Sequence, residues 1–354
     1  MQPEDGPEKP GPAVHSQPKT PKPEMLIKEG TAPKAAGWKN LAAADEWCPA
    51  LLTTKYPELK PHVYEDNACS DLILNTGWRV AGATRRGRQH AHQGTHREDA
   101  IRFRSSSRCT VLCAADGAGS SKWSRLGSHL TSLRVTDHII QQVEQMDPAL
   151  EESPEKLTDF LKTQISKAVA LACATLEEAA LACSSAPKDF RSTLLTVVHF
   201  HGKKRELFLS NQIGDGAICV LFNDKTTQIL GASDSGSFSG EVSCFVPDNC
   251  ARTKSEQIDV LSNCDKIECL LLCTDGVEDP FYPLQKKSVE LFGQLYGGVK
   301  EKLADFTAQS TMPSILSQDG AGWALAEWLG FEKRGENDDR SLLLMHRFPT
   351  TVTF

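Results

Sequence analysis

The 354-residue chain lacks several features that would place it in a distinct class of protein. No apolar run approaches the ~20 residues that cross a bilayer, so we expect no membrane partner. Positive charge is not in excess, because 39 Lys and Arg residues are outnumbered by 46 Asp and Glu and the formal net charge is −7. This balance disfavours nucleic acid as a partner. The chain also begins without a basic or an apolar stretch, so no secretory signal is predicted.

Cys-x-x-Cys pairs are absent as well, although the chain has twelve cysteines. Their absence argues against a zinc ribbon. Several cysteines fall inside apolar runs, where a thiol is typical of a small core side chain; these are Cys109, Cys113, Cys269 and Cys273. We therefore predict a monomeric, cytoplasmic protein whose thiols are reduced.

The chain does contain a repeated pattern, in which an apolar run ends in Asp-Gly. One run leads to Asp116, and a second, of very similar composition, leads to Asp275. Both runs have the length and residue types of buried strands, and a carboxylate at a strand end is rigidly placed. A single Asp-Gly pair is most simply a hairpin turn. Two of them after such similar strands predict a shared acidic site, whose oxygen ligands favour Mg²⁺ or Mn²⁺.

Composition divides the chain into three segments. Residues 1–39 are rich in Pro, Lys, Glu and Gly and predict a disordered tail, because they cannot bury enough apolar surface to offset the entropy of ordering. Residues 40–74 hold scattered apolar residues and predict a weakly structured extension. Residues 75–354 alternate runs of strands with amphipathic helices and predict the main folded domain. Because strands often follow strands directly, we predict an α+β fold with mainly antiparallel sheets.

Taken together, the acidic segments resemble the metal-dependent protein phosphatase 2C family, in particular its bacterial type. Five short elements match in order between Trp78 and His346: an acidic pair, an Asp-Gly turn, a Gly-Asp hairpin, an Asp-Gly-x-x-Asp element and a closing Asp-x-x-Ser element. They are carried by Glu98 and Asp99, Asp116 and Gly117, Gly214 and Asp215, Asp275 and Asp279, and Asp338 and Ser341. Each element is short, and their common order makes the resemblance specific.

The resemblance implies a four-layer αββα sandwich and hydrolysis of phosphoserine and phosphothreonine in phosphorylated protein substrates. It also implies two Mn²⁺ or Mg²⁺ ions and a weaker third one. By this resemblance, Asp116 bridges the two ions and the Gly117 carbonyl helps to hold one. Asp275 and Asp338 hold one ion, and Glu98 supports the other. Asp99 orients the attacking water, and Asp215 and Asp279 join Asp275 at the third ion.

The chain departs from the better-known members around the phosphate. Their phosphate-binding Arg lies four residues before the Glu, where this chain has Gly94, and a His that often follows the Asp-Gly turn is replaced by Ala118. A bacterial branch carries Gly-x-Ser-His well before the acidic pair, so His90 is a candidate phosphate ligand or proton donor. Arg88 and Arg97 are rivals for the phosphate. The basic loop that holds these residues is otherwise read as a solvated hairpin.

Asp339 stands where the closing element of the family has Asn, which adds negative charge beside the metals. Two other functions are compatible with this sequence. One is a catalytically inactive, phosphatase-like binding module, which has no need of so many convergent carboxylates. The other is a two-metal phosphoesterase acting on a small molecule. A nucleotide-binding loop at residues 117–122 is disfavoured, because it lacks the Gly-x-x-x-x-Gly-Lys spacing that wraps phosphates.

Overall fold

A computed structural model describes residues 50–59, 67–74, 76–231, 245–248, 257–296 and 320–348. The tail predicted at residues 1–39 and most of the Gly- and Ser-rich stretch near residue 235 lie outside the described residues. So does the second half of the helix predicted over residues 281–306. Its first half forms a helix from Leu284 to Tyr296. Among the described residues, no helix has both the length and the apolar character to span a membrane.

Eleven strands are found in the described residues, and they form two antiparallel sheets. The first sheet has the order β1-β2-β11-β10-β7-β8 and the second the order β3-β4-β5-β6-β9. The strands are β1 (Asn67–Ile73), β2 (Trp78–Arg85), β3 (Ala100–Ser105), β4 (Cys109–Ala115), β5 (Leu194–His201), β6 (Glu206–Ile213), β7 (Ala217–Phe222), β8 (Thr227–Leu230), β9 (Asp259–Leu261), β10 (Ile267–Cys273) and β11 (Arg340–Arg347).

Among the described residues, one α-helix precedes the first strand and six lie between strands along the chain. They are α1 (Ala50–Lys55), α2 (Arg88–Gln93), α3 (Ser124–Glu144), α4 (Pro154–Ala182), α5 (Asp275–Glu278), α6 (Leu284–Tyr296) and α7 (Ala321–Trp328). The long helices α3 and α4 pack against the second sheet, and α6 and α7 pack against the first. This arrangement confirms the predicted α+β class and its four layers.

Alternation of side chains along the strands produces three separate cores. Leu343 of β11 and Leu112 of β4 point into the core between the two sheets. Their neighbours Leu342 and Val111 point outwards, into the cores shared with the helices on either side. Successive side chains of a strand face opposite ways, so a strand buried on both faces must be apolar throughout. This explains why the central strands read as continuous apolar runs.

Residues 67–73 form an edge strand that the sequence analysis did not identify. β1 pairs with β2 along its whole length, from Asn67 opposite Arg85 to Ile73 opposite Arg79. In the preceding short helix, Leu52 is fully buried in the core beneath α3 and α4. The described part of the 40–74 extension is therefore packed on the domain. The structure also shows a disulfide at Cys173, so the expectation that all thiols are reduced is wrong.

Candidate metal centre

The sheet register brings the sequence-predicted acids to the same end of both sheets. Asp116 follows β4 directly, and the acidic pair before β3 lies beside it because Ala100 pairs with Ala115. Asp275 follows β10, and Asp338 precedes β11; these strands are neighbours, with Cys273 opposite Leu342. In antiparallel pairs the end of one strand meets the start of the next. The four segments therefore meet at one edge of the sandwich.

Asp116 and Asp275 are the most strongly perturbed acids of this cluster. Burial, followed by the charges of Asp275 and Asp99, holds the pKa of Asp116 well above its usual value. Burial, followed by Asp215 and Asp338, does the same for Asp275. Each pKa is raised because the charged form loses solvation and meets other carboxylates nearby. The Asp275 side chain is held by the Gly276 backbone N–H, which donates to its Oδ1 at 2.7 Å.

Glu98, Asp99 and Asp338 complete the cluster. Burial is the main cause that raises the pKa of Glu98 to about 7, and burial with Asp339 raises the pKa of both aspartates. The Thr274 hydroxyl donates to Asp99 Oδ2 at 2.8 Å. Within the described part of the chain, Glu98 Oε2 and Asp99 Oδ1 are buried without a hydrogen-bond partner. Buried carboxylate oxygens of this kind suit a hard divalent cation.

A second group of acids lies beside Asp275. Asp215 occupies the hairpin between β6 and β7, where Gly214 and Gly216 adopt φ angles of 88° and 82° that favour glycine. Glu278, which the sequence analysis overlooked, has its pKa raised to about 8 by burial and then by Asp215 and Asp279. Its position three residues after Asp275 on α5 was the available signal, because residues three apart share a helix face.

The Gly117 backbone runs very close to the acidic pair. A Cβ at this position would come within 3.0 Å of both Glu98 Cβ and the Glu98 carbonyl oxygen. Any side chain would therefore push the Asp-Gly turn away from Glu98. The glycine predicted from the sequence is needed for this close approach.

His90 lies at the rim of the cluster, on the short helix α2. Its Nδ1 is 3.0 Å from Asp339 Oδ1, and its Nε2 is 3.8 Å from Glu98 Oε2. Burial lowers the pKa of His90, but the hydrogen bond to Asp339 and the charges of Asp339 and Glu98 outweigh burial and raise it to about 9. The ring is therefore predominantly cationic at neutral pH while the acids carry no metal.

Asp339 is 1 % exposed, and both of its oxygens accept hydrogen bonds. The Gly87 N–H donates to Oδ1 and the Glu98 N–H donates to Oδ2, each at 2.6 Å. Burial alone would raise the pKa of Asp339, but His90 and these two backbone donors lower it. Ligand atoms of His90, Asp338 and Asp339 lie within 4.8 Å of one another. Because the Asp339 oxygens are already engaged, Asp338 is better suited to bind a metal.

The two rival arginines lie in different surroundings. Arg97 is 1 % exposed and its Nε donates to the Asp99 carbonyl at 2.9 Å, so its guanidinium supports the chain beneath the acids. Arg88 is exposed and pairs with Glu332. Neither arrangement favours a role in binding the phosphate of a protein substrate, whereas His90 Nε2 lies 3.8 Å from Glu98 Oε2.

Comparisons with known proteins identify the family of this chain. The sequence profile of the protein phosphatase 2C family matches residues 86–329, which include every sequence-predicted acid except Asp338. No individually curated protein sequence gives a significant match. The solved serine-threonine phosphatase 2C from Toxoplasma gondii is 16% identical, with a TM-score of 0.51, and the match covers 78% of this chain and 98% of that one.

Two further structures give similar matches. The serine/threonine phosphatase Stp1 from Staphylococcus aureus is 15% identical, with a TM-score of 0.44 and coverage of 78% of this chain and 95% of its own. The catalytic domain of the serine threonine protein phosphatase PstP, solved in complex with two manganese ions, is 16% identical, with a TM-score of 0.44 and coverage of 77% and 99%. Since the family profile spans more than half of its residues, the chain belongs to the protein phosphatase 2C family.

Proposed function

We propose that the acidic cluster is the active site of a metal-dependent phosphatase that removes phosphate from serine and threonine residues of phosphorylated proteins. The observation that carries this proposal is the convergence of Glu98, Asp116, Asp275 and Asp338, whose pKa values are all raised by burial and by neighbouring carboxylates. Such a cluster is costly for folding unless cations neutralise it. A purely structural site would not gather these charges.

The donor set supports two ions, for which Mn²⁺ or Mg²⁺ fit because every donor is a hard oxygen. Asp116 would bridge them, with the Gly117 carbonyl supporting one of them; Asp275 and Asp338 would hold one ion and Glu98 would support the other. When bound, the ions supply charge neutralisation for the phosphate and activate water for attack. Asp215 and Asp279 would hold a weaker third ion together with Asp275, and Glu278 adds a further carboxylate there.

Asp99 is suited to orient the attacking water. Its Oδ2 accepts a hydrogen bond from the Thr274 hydroxyl, and no donor among the described residues hydrogen-bonds its buried Oδ1. A carboxylate oxygen held in this way can accept a hydrogen bond from water and fix its position relative to the phosphate. The backbone beneath Asp99 is in turn supported by Arg97.

His90 would bind the phosphate or protonate the leaving alkoxide. Serine and threonine alkoxides are strongly basic, so their departure needs a proton. The Nε2 of His90 lies 3.8 Å from Glu98 Oε2 at the rim of the cluster, and its Nδ1 lies 3.0 Å from Asp339 Oδ1. Nε2 is therefore the nitrogen suited to donate a proton next to the acids. In this role His90 would substitute for the Arg that the sequence lacks at residue 94.

A substrate panel tests the proposal against its alternatives. Phosphoserine and phosphothreonine peptides, nucleotides and cyclic dinucleotides are assayed with Mn²⁺, Mg²⁺ and chelator. We expect release of phosphate from the peptides only when metal is present. Hydrolysis confined to the nucleotides would favour a small-molecule phosphoesterase, and metal binding without any hydrolysis would favour an inactive binding module. Nothing in the described residues favours either alternative. The monomeric state and the cytoplasmic location stay predictions.

A further inference from the structure

The short helix that carries His90 depends on the segment before β11 for its position. α2 has only six residues, and an isolated helix of this length is unstable in water. Its Gln89 N–H donates to the Asn337 carbonyl at 3.0 Å. At Gly87, which precedes the helix, an added Cβ would lie 2.3 Å from the Asp338 carbonyl carbon. The helix is therefore docked closely on residues 337–339.

Asp339 connects this helix to the acidic cluster. One of its oxygens accepts from the N–H before α2 and lies 3.0 Å from His90 Nδ1, and the other accepts from the Glu98 N–H. One buried carboxylate thus fixes the start of the helix, the ring of His90 and the backbone of Glu98. A carboxylate can do this because each oxygen accepts more than one hydrogen bond. The amide of Asn offers only one oxygen, and its N–H₂ would face another donor.

We propose that Asp339 is a positioning residue that acts through His90, by engaging Nδ1 so that Nε2 faces the acids and the substrate phosphate. This inference rests on the proposed role of His90 in the reaction. It explains the two departures from the better-known family members together. Where they use Arg and Asn, this chain uses His90 and Asp339, and the carboxylate supplies the acceptor that an imidazole Nδ1–H needs. Partners that orient a functional His commonly change activity 10- to 100-fold when they are replaced.

A double-mutant cycle on kcat tests the inference. Wild type, Asp339→Asn, His90→Ala and the double variant are assayed on one phosphothreonine peptide at saturating Mn²⁺, and Mn²⁺ affinity is measured by calorimetry. Glu332→Gln serves as the control. It removes the charge of the exposed residue that pairs with Arg88, and Arg88 lies on the same helix as His90. Loss of the Asp339 charge is expected to weaken Mn²⁺ binding, so the discriminating quantity is kcat at saturating Mn²⁺, which we expect Asp339→Asn to lower about 10- to 100-fold. In the His90→Ala background, the same substitution should change kcat less than about threefold, because coupled residues are not additive.

The outcomes separate the inference from the proposed function. Equal losses of kcat from Asp339→Asn in both backgrounds would overturn the inference and leave the role of His90 intact. An Asp339→Asn defect that higher Mn²⁺ restores would also overturn it, because Asp339 would then act on the metals. If His90→Ala is harmless while hydrolysis still needs metal, both the role of His90 and this inference fall.

A second measurement covers the case in which Asp339→Asn does not fold. In wild-type protein with ¹⁵N-labelled histidine rings, we expect a slowly exchanging proton on Nδ1 of His90, identified by its loss in His90→Ala. A His90 ring with no proton on Nδ1 would overturn the inference without any variant of Asp339.

Discussion

Asp116→Asn separates stability from function at the proposed bridging ligand. The substitution keeps the shape of the side chain and removes one charge from a partly buried position that is flanked by the charges of Asp275, Asp99 and Asp338. A like-charged pair at about 5 Å and an effective dielectric constant of about 20 costs roughly 3 kcal/mol. Proton uptake by the wild-type acids relieves part of this cost. In chelator, we therefore expect Asp116→Asn to be as stable as wild type, or more stable by up to about 3 kcal/mol.

Metal should reverse this order. At a free concentration of about 100 times Kd, each bound ion stabilises the folded state by roughly 2.7 kcal/mol, so two ions contribute about 5 kcal/mol. For a domain of this size, that corresponds to a rise in Tm of roughly 10 °C or more. We expect Asp116→Asn to lose most of this rise and nearly all phosphatase activity, because a neutral amide cannot bridge two cations.

Thermal unfolding in chelator and in millimolar Mn²⁺ measures both effects. Asp71→Asn is the matched control. Asp71 lies on the edge strand β1, pairs with Arg79 of β2 and has no part in the acidic cluster. It should lower Tm equally with and without metal and keep the full metal-induced rise. Equal metal-induced rises in wild type and Asp116→Asn would refute the reasoning and leave Asp116 as a residue that only shapes a turn.

Three further predictions concern packing, pH and the N-terminal segment. Gly276→Ala should unfold more easily by about 1–3 kcal/mol, because its Cβ would lie 1.9 Å from a backbone oxygen before β11. Gly119→Ala should not, because its Cβ would make only an ordinary contact, 3.9 Å from Glu98 Oε2; equal stability of the two would contradict this packing. In chelator, the free energy of unfolding should fall as pH rises from 7 to 9, since the pKa values of Glu278 and His90 are raised to about 8 and about 9 and the native state then binds more protons than the unfolded one; the lowered pKa values of the buried His96, His199 and His346 oppose this only below about pH 7. A free energy of unfolding that rises over this pH range would contradict these pKa shifts. Removal of residues 1–39 should leave cooperative unfolding and peptide hydrolysis unchanged, and a loss of either would show that this segment belongs to the fold.

The acidic cluster could be predicted from the sequence because the end of a long apolar run marks the end of a buried strand. Asp116 and Asp275 each follow a long apolar run, and the apolar character of these runs comes from burial on both faces of a central strand. The assignment of these two aspartates to one site depends on the family resemblance, which is carried by short motifs in a common order. The register of β3 with β4 and of β10 with β11 then accounts for their convergence.

Other features could not be predicted because their signal is tertiary. The edge strand β1 contains Ser70 and Asp71, and apart from Cys69 its described side chains are at most partly buried, so its sequence is not a clear apolar pattern. The role of Asp339 depends on two backbone N–H groups more than 200 residues away in sequence, and no local pattern reports such contacts. Arg97 was a candidate phosphate ligand by charge alone, and its burial became visible only in the folded chain.

The most direct test of the central claim is phosphate release from a phosphothreonine peptide as Mn²⁺ is titrated into protein stripped of metal. The account predicts no hydrolysis in chelator, activity restored by Mn²⁺ or Mg²⁺, and a loss of at least about 100-fold in Asp275→Asn, because Asp275 is proposed to hold one ion and its neutral amide would weaken that site. Hydrolysis that continues undiminished after complete removal of metal would contradict it, because the bound ions are proposed to activate the attacking water.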